Sequence, residues 1–129
     1  MRLFASLEIS SAGLAAQRTR LDTIATNIAN AETTRTPEGG PYQRKRVVFR
    51  EVLNQGVAVA GTVTDPTPGP RIYEPGHPDA DAAGYVQMPN VQLPTEMVEM
   101  VSATRSYEAN AAAVAAAKRM ALKALEIGE

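Results

Sequence analysis

The chain has no cysteine and no tryptophan, one histidine, and only six aromatic residues among its 129. Without cysteine there are no disulfides and no thiolate chemistry, and the redox compartment stays open. So few large rings make a big compact core hard to fill. An excess of one charge sign is also missing. The formal net charge is −1, so no global field draws the chain to nucleic acid or anionic lipid. Strongly apolar stretches are short and alanine-rich, and none is long enough to span a bilayer. The opening MRLFASLEISSAGLAAQ is broken by Glu8 and by serines, so it lacks the apolar run of a cleaved signal peptide. If the protein leaves the cytoplasm, a cleaved signal is not the expected route. The length suits about one domain.

What is present is helical periodicity at both ends. In residues 3–31, Leu7, Leu14, Leu21 and Ile28 recur every seven residues, and Leu3, Ser10, Gln17, Ile24 and Ala31 occupy the alternate position. This is a heptad seam weakened by Ser10 and Gln17. A helix over this zone is about 40 Å long. Gly13 costs it roughly 1 kcal/mol against alanine, so the first turns are expected to fray. Asn30, Thr33 and Thr34 favour a stop.

Residues 94–127 carry the strongest helical signal. Pro94 suits a first turn. Glu96 and Glu99 lie toward the positive helix end, and Lys118, Arg119 and Lys123 toward the negative one. The periodicity predicts a seam through Met97, Met100, Thr104, Tyr107, Ala111, Val114, Lys118, Ala121 and Leu125. Ten alanines between 103 and 124 raise intrinsic helicity and place methyl groups on nearly every face. Small side chains let backbones approach closely on several sides. The two terminal zones match in length, so they are expected to pair as an antiparallel hairpin. Its seam is too polar to make a self-sufficient core, and its remaining faces call for other helices.

Between these zones the composition changes: eight of nine prolines and seven of nine glycines fall in residues 32–92. PEGGPY (37–42) reads as a turn. YQRKRVVFREVL (42–53) and VAVAGTVT (57–64) read as strands, with short extended pieces at Arg71–Glu74 and Tyr85–Met88. The fold class is therefore α+β. Residues 1–33 and 94–129 are expected to form a discontinuous coiled-coil domain, and 34–93 a small β-rich insertion.

The polar constellations are weak as chemistry. Arg44, Lys45, Arg46 and Arg50 form a basic cluster that could touch nucleic acid, but the balanced charge favours an exposed strand. His77, Asp79 and Asp81 suggest a metal, yet no second ligand cluster accompanies them, and they do not complete a calcium loop. No spacing suggests a triad, a nucleophile elbow or a phosphate loop. An enzyme, a cofactor and a small-molecule substrate are not expected. Asn27 and Asn30 have two readings: asparagines near a helix C-cap, or amides that hydrogen-bond neighbouring backbone at a packed contact.

TNIANAETT (26–34) and GGPYQRKRVVF (39–49) resemble the rod proteins of the bacterial flagellar basal body. The family pattern is Asn-Asn-Ile-Ala-Asn-x-x-Thr, and Thr26 stands where its first asparagine falls. GHPDADAAGYVQMPNV (76–91) and EMVEMVSATRSYEANAAAVAAAKRMALKALEIG (96–128) extend the likeness over nearly the whole chain, and resemble the proximal rod members in particular.

The resemblance implies a structural subunit that assembles helically and transmits torque through the periplasm. It implies export by the flagellar type III apparatus without signal cleavage, and terminal helices paired as a coiled-coil layer around the inner tube. Implied partners are copies of itself, other proximal rod proteins, the distal rod protein and the rod-base adapter. Helix pairing and subunit contacts would then engage Leu7, Leu14, Leu21, Ile24, Asn27, Ile28, Asn30, Met97, Met100, Tyr107, Ala111, Val114, Ala121 and Leu125. The rival readings are another axial subunit, distal rod or adapter, and a nucleic-acid-binding module built on residues 43–50.

Overall fold

The computed structural model describes residues 2–128. The outermost residues of the expected terminal segments, Met1 and Glu129, lie outside the described residues. The element order is α1 (Arg2–Ala29), β1 (Lys45–Val52), β2 (Gly56–Thr64), β3 (Arg71–Tyr73), β4 (Tyr85–Gln87) and α2 (Leu93–Ile127). This is the expected α+β class: two long terminal helices with small antiparallel sheets between them.

α1 runs unbroken through Gly13. It ends where the Asn30 N–H bonds to the carbonyls of Thr26 and Asn27, and the Thr33 N–H to that of Asn30. α2 starts at Leu93 with Pro94 in its first turn and an extended Gln92 ahead of it. It closes at Gly128, whose N–H reaches the Ala124 carbonyl at 3.0 Å. Asn27 meets Glu96 near one end of the pair, and Gly13 meets Asn110 further along. The two helices therefore run antiparallel, side by side.

β1 and β2 form one antiparallel ribbon, and β3 and β4 a second, shorter one. In the first, Lys45 pairs with Thr64 and Val52 with Gly56. The register shifts between Val48, opposite Gly61, and Phe49, opposite Val59. Ala60 is the extra residue of this bulge, which increases local twist. Asn54 (φ 62°) and Gly56 (φ 89°) turn the chain in left-handed backbone. The ribbon packs on α1. A Cβ at Gly56 would come within 3.2 Å of Ile9 Cγ2, so the turn sits directly on that helix.

The apolar core is thin. Its buried members are Ala16, Ile24, Tyr42, Val86, Ala103 and Ala117. Three of the six are alanines, which contribute little area each. Large apolar side chains instead face outward along both helices, among them Phe4, Met97, Val98, Val101, Met120 and Leu125.

The intrachain seam of α2 differs from the periodicity reading. It runs through Glu96, Ala103 and Ala117, with Met100, Ser106, Asn110, Ala111, Val114 and Ala121 half-buried. Met97, Thr104, Tyr107, Lys118 and Leu125 are exposed. The strip is one residue out of phase at its start because a glutamate, not the adjacent methionine, turns inward. Hydrophobicity alone cannot anticipate a buried carboxylate that meets its partners from another segment.

Candidate functional site

The most elaborate side-chain arrangement lies where the end of α1, the start of β1 and the first turn of α2 converge. The helical spacing of Arg20 and Asn27, seven residues apart, puts both on the face turned to α2. Asn27 is buried, and its amide is fully used. Its Oδ1 accepts from the Tyr42 hydroxyl at 2.7 Å and from the Lys45 N–H at 3.0 Å. Its Nδ2 donates to the Lys45 carbonyl at 2.7 Å and to Glu96 Oε2 at 3.3 Å. The amide thus imitates a strand partner for Lys45 and fixes the first residue of β1 against the helix.

Glu96 has a side chain 0% exposed. Its Oε1 accepts from Arg44 Nε, and Oε2 takes the Asn27 amide. A carboxylate without solvent survives only because both oxygens are paired. Beside it, Arg20 donates to Glu99 Oε2 at 2.6 Å and to Gln17 Oε1 at 3.3 Å. Asn90 closes the assembly from below. Its Oδ1 accepts the Arg44 N–H at 2.6 Å, and its Nδ2 donates to the carbonyls of Asp65 and Thr67. Among the described residues no buried side-chain polar atom lacks a partner.

The electrostatics follow from this enclosure. The hydrogen bond to Glu96 raises the Arg44 guanidinium above its ordinary value, against the opposing effect of burial. Burial, and then the Glu96 charge, push the Tyr42 phenol upward, so it stays neutral. An open cleft of about 340 Å³ runs along this junction between Thr23, Asn27, Arg44, Phe49 and Glu96. Both Glu96 oxygens are already engaged, so the buried carboxylate is committed to structure. The arrangement holds three segments of the chain together.

A second polar cluster organises the outer loops. Asp79 accepts from the Thr34 hydroxyl at 2.6 Å and pairs with Arg35 at 2.8 Å. His77 Nδ1 accepts the Asp79 N–H at 3.0 Å. Asp81 Oδ1 accepts from the backbone of Ala83 and Tyr85, and Oδ2 pairs with Arg71 at 2.5 Å. The Thr34 hydroxyl, then the charge of Arg35, hold Asp79 below the usual carboxylate range. The Tyr85 and Ala83 N–H groups and Arg71 do the same for Asp81. These acids are committed to loop closure. Among the described residues no group of three or more His, Cys, Asp or Glu side chains could hold a metal ion.

The residues singled out from sequence fall into three sets. Ile24 and Asn27 are buried, and Leu7, Leu14, Leu21, Ile28, Asn30, Met100, Ala111, Val114 and Ala121 are half-buried along the helix pair. Met97, Tyr107 and Leu125 are exposed on α2. Asn30 serves its own helix end: its Nδ2 donates to the Thr26 carbonyl and its Oδ1 accepts the Thr33 hydroxyl. Asn27 binds backbone of the same chain, 18 residues on. Sequence reasoning missed Glu96, Tyr42, Arg44 and Asn90 as one unit. Only a polar residue facing inward beside an apolar strip could have signalled them. In the basic cluster, Arg44 is consumed by Glu96, while Lys45, Arg46 and Arg50 are exposed.

Comparison with known proteins bears on the same regions. Residues 7–35 match the family described as "Flagella basal body rod protein", and residues 82–127 match "Flagellar basal body rod FlgEFG protein C-terminal". The flagellar basal-body rod protein FlgC of Borreliella burgdorferi is 44% identical over 149 aligned positions, covering 98% of each chain. The FlgC proteins of Salmonella typhimurium and Bacillus subtilis are each 43% identical, covering 100% of both chains.

Proposed function

We propose how this chain works from the premise that it belongs to the FlgC family of flagellar basal-body rod proteins. It is a structural rod subunit of the basal body and not an enzyme. In our reading it assembles helically with copies of itself and with other rod proteins, and transmits torque through the periplasm. The observation that carries this reading is the mismatch between the long helix pair and its thin core. Alanine faces and large apolar side chains, Phe4, Val98, Val101 and Met120 among them, stay open along both helices. Neighbouring helices that cover them would supply the close packing that makes a shaft stiff.

The finer assignments belong to the same proposal. Residues 1–33 and 94–129 act as a discontinuous coiled-coil domain, and 34–93 as an outer insertion. Partners are the other proximal rod proteins, the distal rod protein, the rod-base adapter and the type III export apparatus, which carries the chain out without signal cleavage. Leu7, Leu14, Leu21 and Ile28 serve helix pairing, and Met97, Tyr107 and Leu125 serve contacts between subunits. The junction around Glu96 joins the insertion rigidly to the helices, so that load on one reaches the other.

The test is deletion of the gene in the source bacterium and electron microscopy of isolated basal bodies. Membrane rings without rod, hook or filament are expected. Complete flagella would refute an essential rod role.

A further inference from the structure

α1 and α2 are separated by 63 residues, so no short loop sets their alignment. The seam cannot set it well either. Its fully buried α2 members are alanines except for Glu96, and one alanine step resembles the next. A seam of this kind tolerates a slip of one heptad with little loss of buried area.

The polar residues break that degeneracy. On α2 the inward positions at heptad intervals read Glu96, Ala103, Asn110, Ala117. Glu96 meets Asn27 on α1. Asn110 meets Gly13, the single glycine of α1. A Cβ at Gly13 would lie 2.8 Å from Asn110 Oδ1, so the amide occupies the notch that the missing side chain leaves. Asn110 Nδ2 donates to the Ser106 carbonyl at 2.9 Å, which holds the amide in place. The two contacts are 14 residues apart on α1 and 14 apart on α2. They belong to one register, two heptads or roughly 21 Å apart.

We infer that Asn27–Glu96 and Gly13–Asn110 are the residues that specify the register of the helix pair. The intervals make the pair of contacts selective. A one-heptad slip sets alanine positions of α2 opposite Asn27 or Gly13, and sets Asn110 opposite a residue with a Cβ. Both contacts fail together: one slip sets Asn27 opposite Ala103, and the other sets Arg20 opposite Glu96 but leaves Asn27 level with Pro89, before α2 begins. A single buried polar residue is known to fix register in coiled coils at some cost in stability; here two polar contacts do so in an antiparallel pair.

The register has a consequence at the far end. It brings Arg2, the first described residue of α1, level with Ala121, and no described residue of α1 lies beside residues 122–127, a stretch of about 9 Å. Leu122, Leu125 and Ile127 are exposed there. The polar contacts therefore set which apolar residues of α2 lie beyond the described start of α1.

The test is a distance measurement between spin labels in the full chain, which has no native cysteine. Asp22→Cys and Arg119→Cys place labels at exposed positions outside both contacts. Their axial separation in this register is about 27 Å, and a one-heptad slip changes it by about 10 Å in either direction. The unsubstituted interior should give one narrow distribution. Asn27→Ala with Asn110→Ala should raise the slipped population about tenfold or broaden the distribution to the same extent.

A second pair of variants guards against simple loss of folding. Gly13→Ala alone should disturb the distribution, and adding Asn110→Ala should restore much of the lost native peak, because an ordinary alanine contact replaces the clash. A broad distribution in the unsubstituted chain would overturn the inference. So would an unshifted narrow peak in Asn27→Ala/Asn110→Ala, or a Gly13→Ala defect that Asn110→Ala does not relieve.

Discussion

Replacing Glu96 by alanine removes the one carboxylate that is completely enclosed among the described residues. Arg44 loses the acceptor of its Nε, and Asn27 Nδ2 keeps only the Lys45 carbonyl. Breaking a buried ion pair by deleting one partner costs about 3–5 kcal/mol when the other stays fully desolvated. The Arg44 side chain is 24% exposed, so water reaches it in part. The expected loss is therefore smaller, about 2–3 kcal/mol. For a chain of this size that lowers the melting temperature by about 6–12 °C.

Urea and thermal unfolding followed by helical circular dichroism measure it. Glu99→Ala is the internal control. That side chain is 41% exposed, and its loss should cost below about 0.5 kcal/mol. A second variant separates packing from charge. Arg44→Met combined with Glu96→Leu leaves no orphaned ion, and it should be less damaging than Glu96→Ala alone. If Glu96→Ala is no worse than Glu99→Ala, or if the apolar double variant is worse than the single one, the enclosed ion pair is not what holds the junction.

Tyr42→Phe should cost about 1 kcal/mol, since Asn27 Oδ1 keeps the Lys45 N–H. The same variant should remove a phenolate absorbance step from above pH 10, because the raised value of Tyr42 makes its contribution present below the ordinary tyrosine pKa and lost as pH rises through the folded one. The depressed values of Asp79 and Asp81 have the opposite sign. Their contribution is present above about pH 4 and lost as pH falls through the lowered values, so amide protection factors in residues 74–87 should fall only in that acid range. Asp79→Asn should flatten that dependence. Gly69→Ala should disrupt the short ribbon, since a Cβ there would lie 2.2 Å from the Met88 carbonyl oxygen; heteronuclear NMR of Arg71–Tyr73 and Tyr85–Gln87 reports it. Ala113→Glu should change the unfolding free energy of the isolated chain by no more than about 0.5 kcal/mol, because the residue is exposed, yet should abolish swimming by blocking rod assembly.

Much of the fold could be read from period and punctuation. The long helices follow from seven-residue recurrence in one terminal zone and alanine density in the other. The four strands coincide with the β-branched runs between proline and glycine clusters. Pairing partners could not be read, because nothing in VAVAGTVT says whether it turns back on β1 or reaches elsewhere. The phase of α2 was misjudged where Glu96 faces inward, since a charge is ordinarily assigned to solvent until its partners are known. Gly13 illustrates the same gap. Taken alone it weakens a helix, but beside Asn110 it is the space into which the second helix fits. Asn27 carried a signal in its surroundings, although not the fact that its amide would bind Lys45 backbone and Glu96 at once.

The central claim is that this chain is completed by its neighbours: a thinly cored helix pair whose open faces are covered only in the rod. Hydrogen exchange measures that coverage directly, on the dilute purified chain and on the same chain within isolated basal bodies. In the dilute chain, residues 1–30 and 95–129 should be only weakly protected, the α2 tip beyond Ala121 least, and in the rod both segments should become strongly protected. Slow exchange of both segments in the dilute chain, with no gain on assembly, would contradict the account.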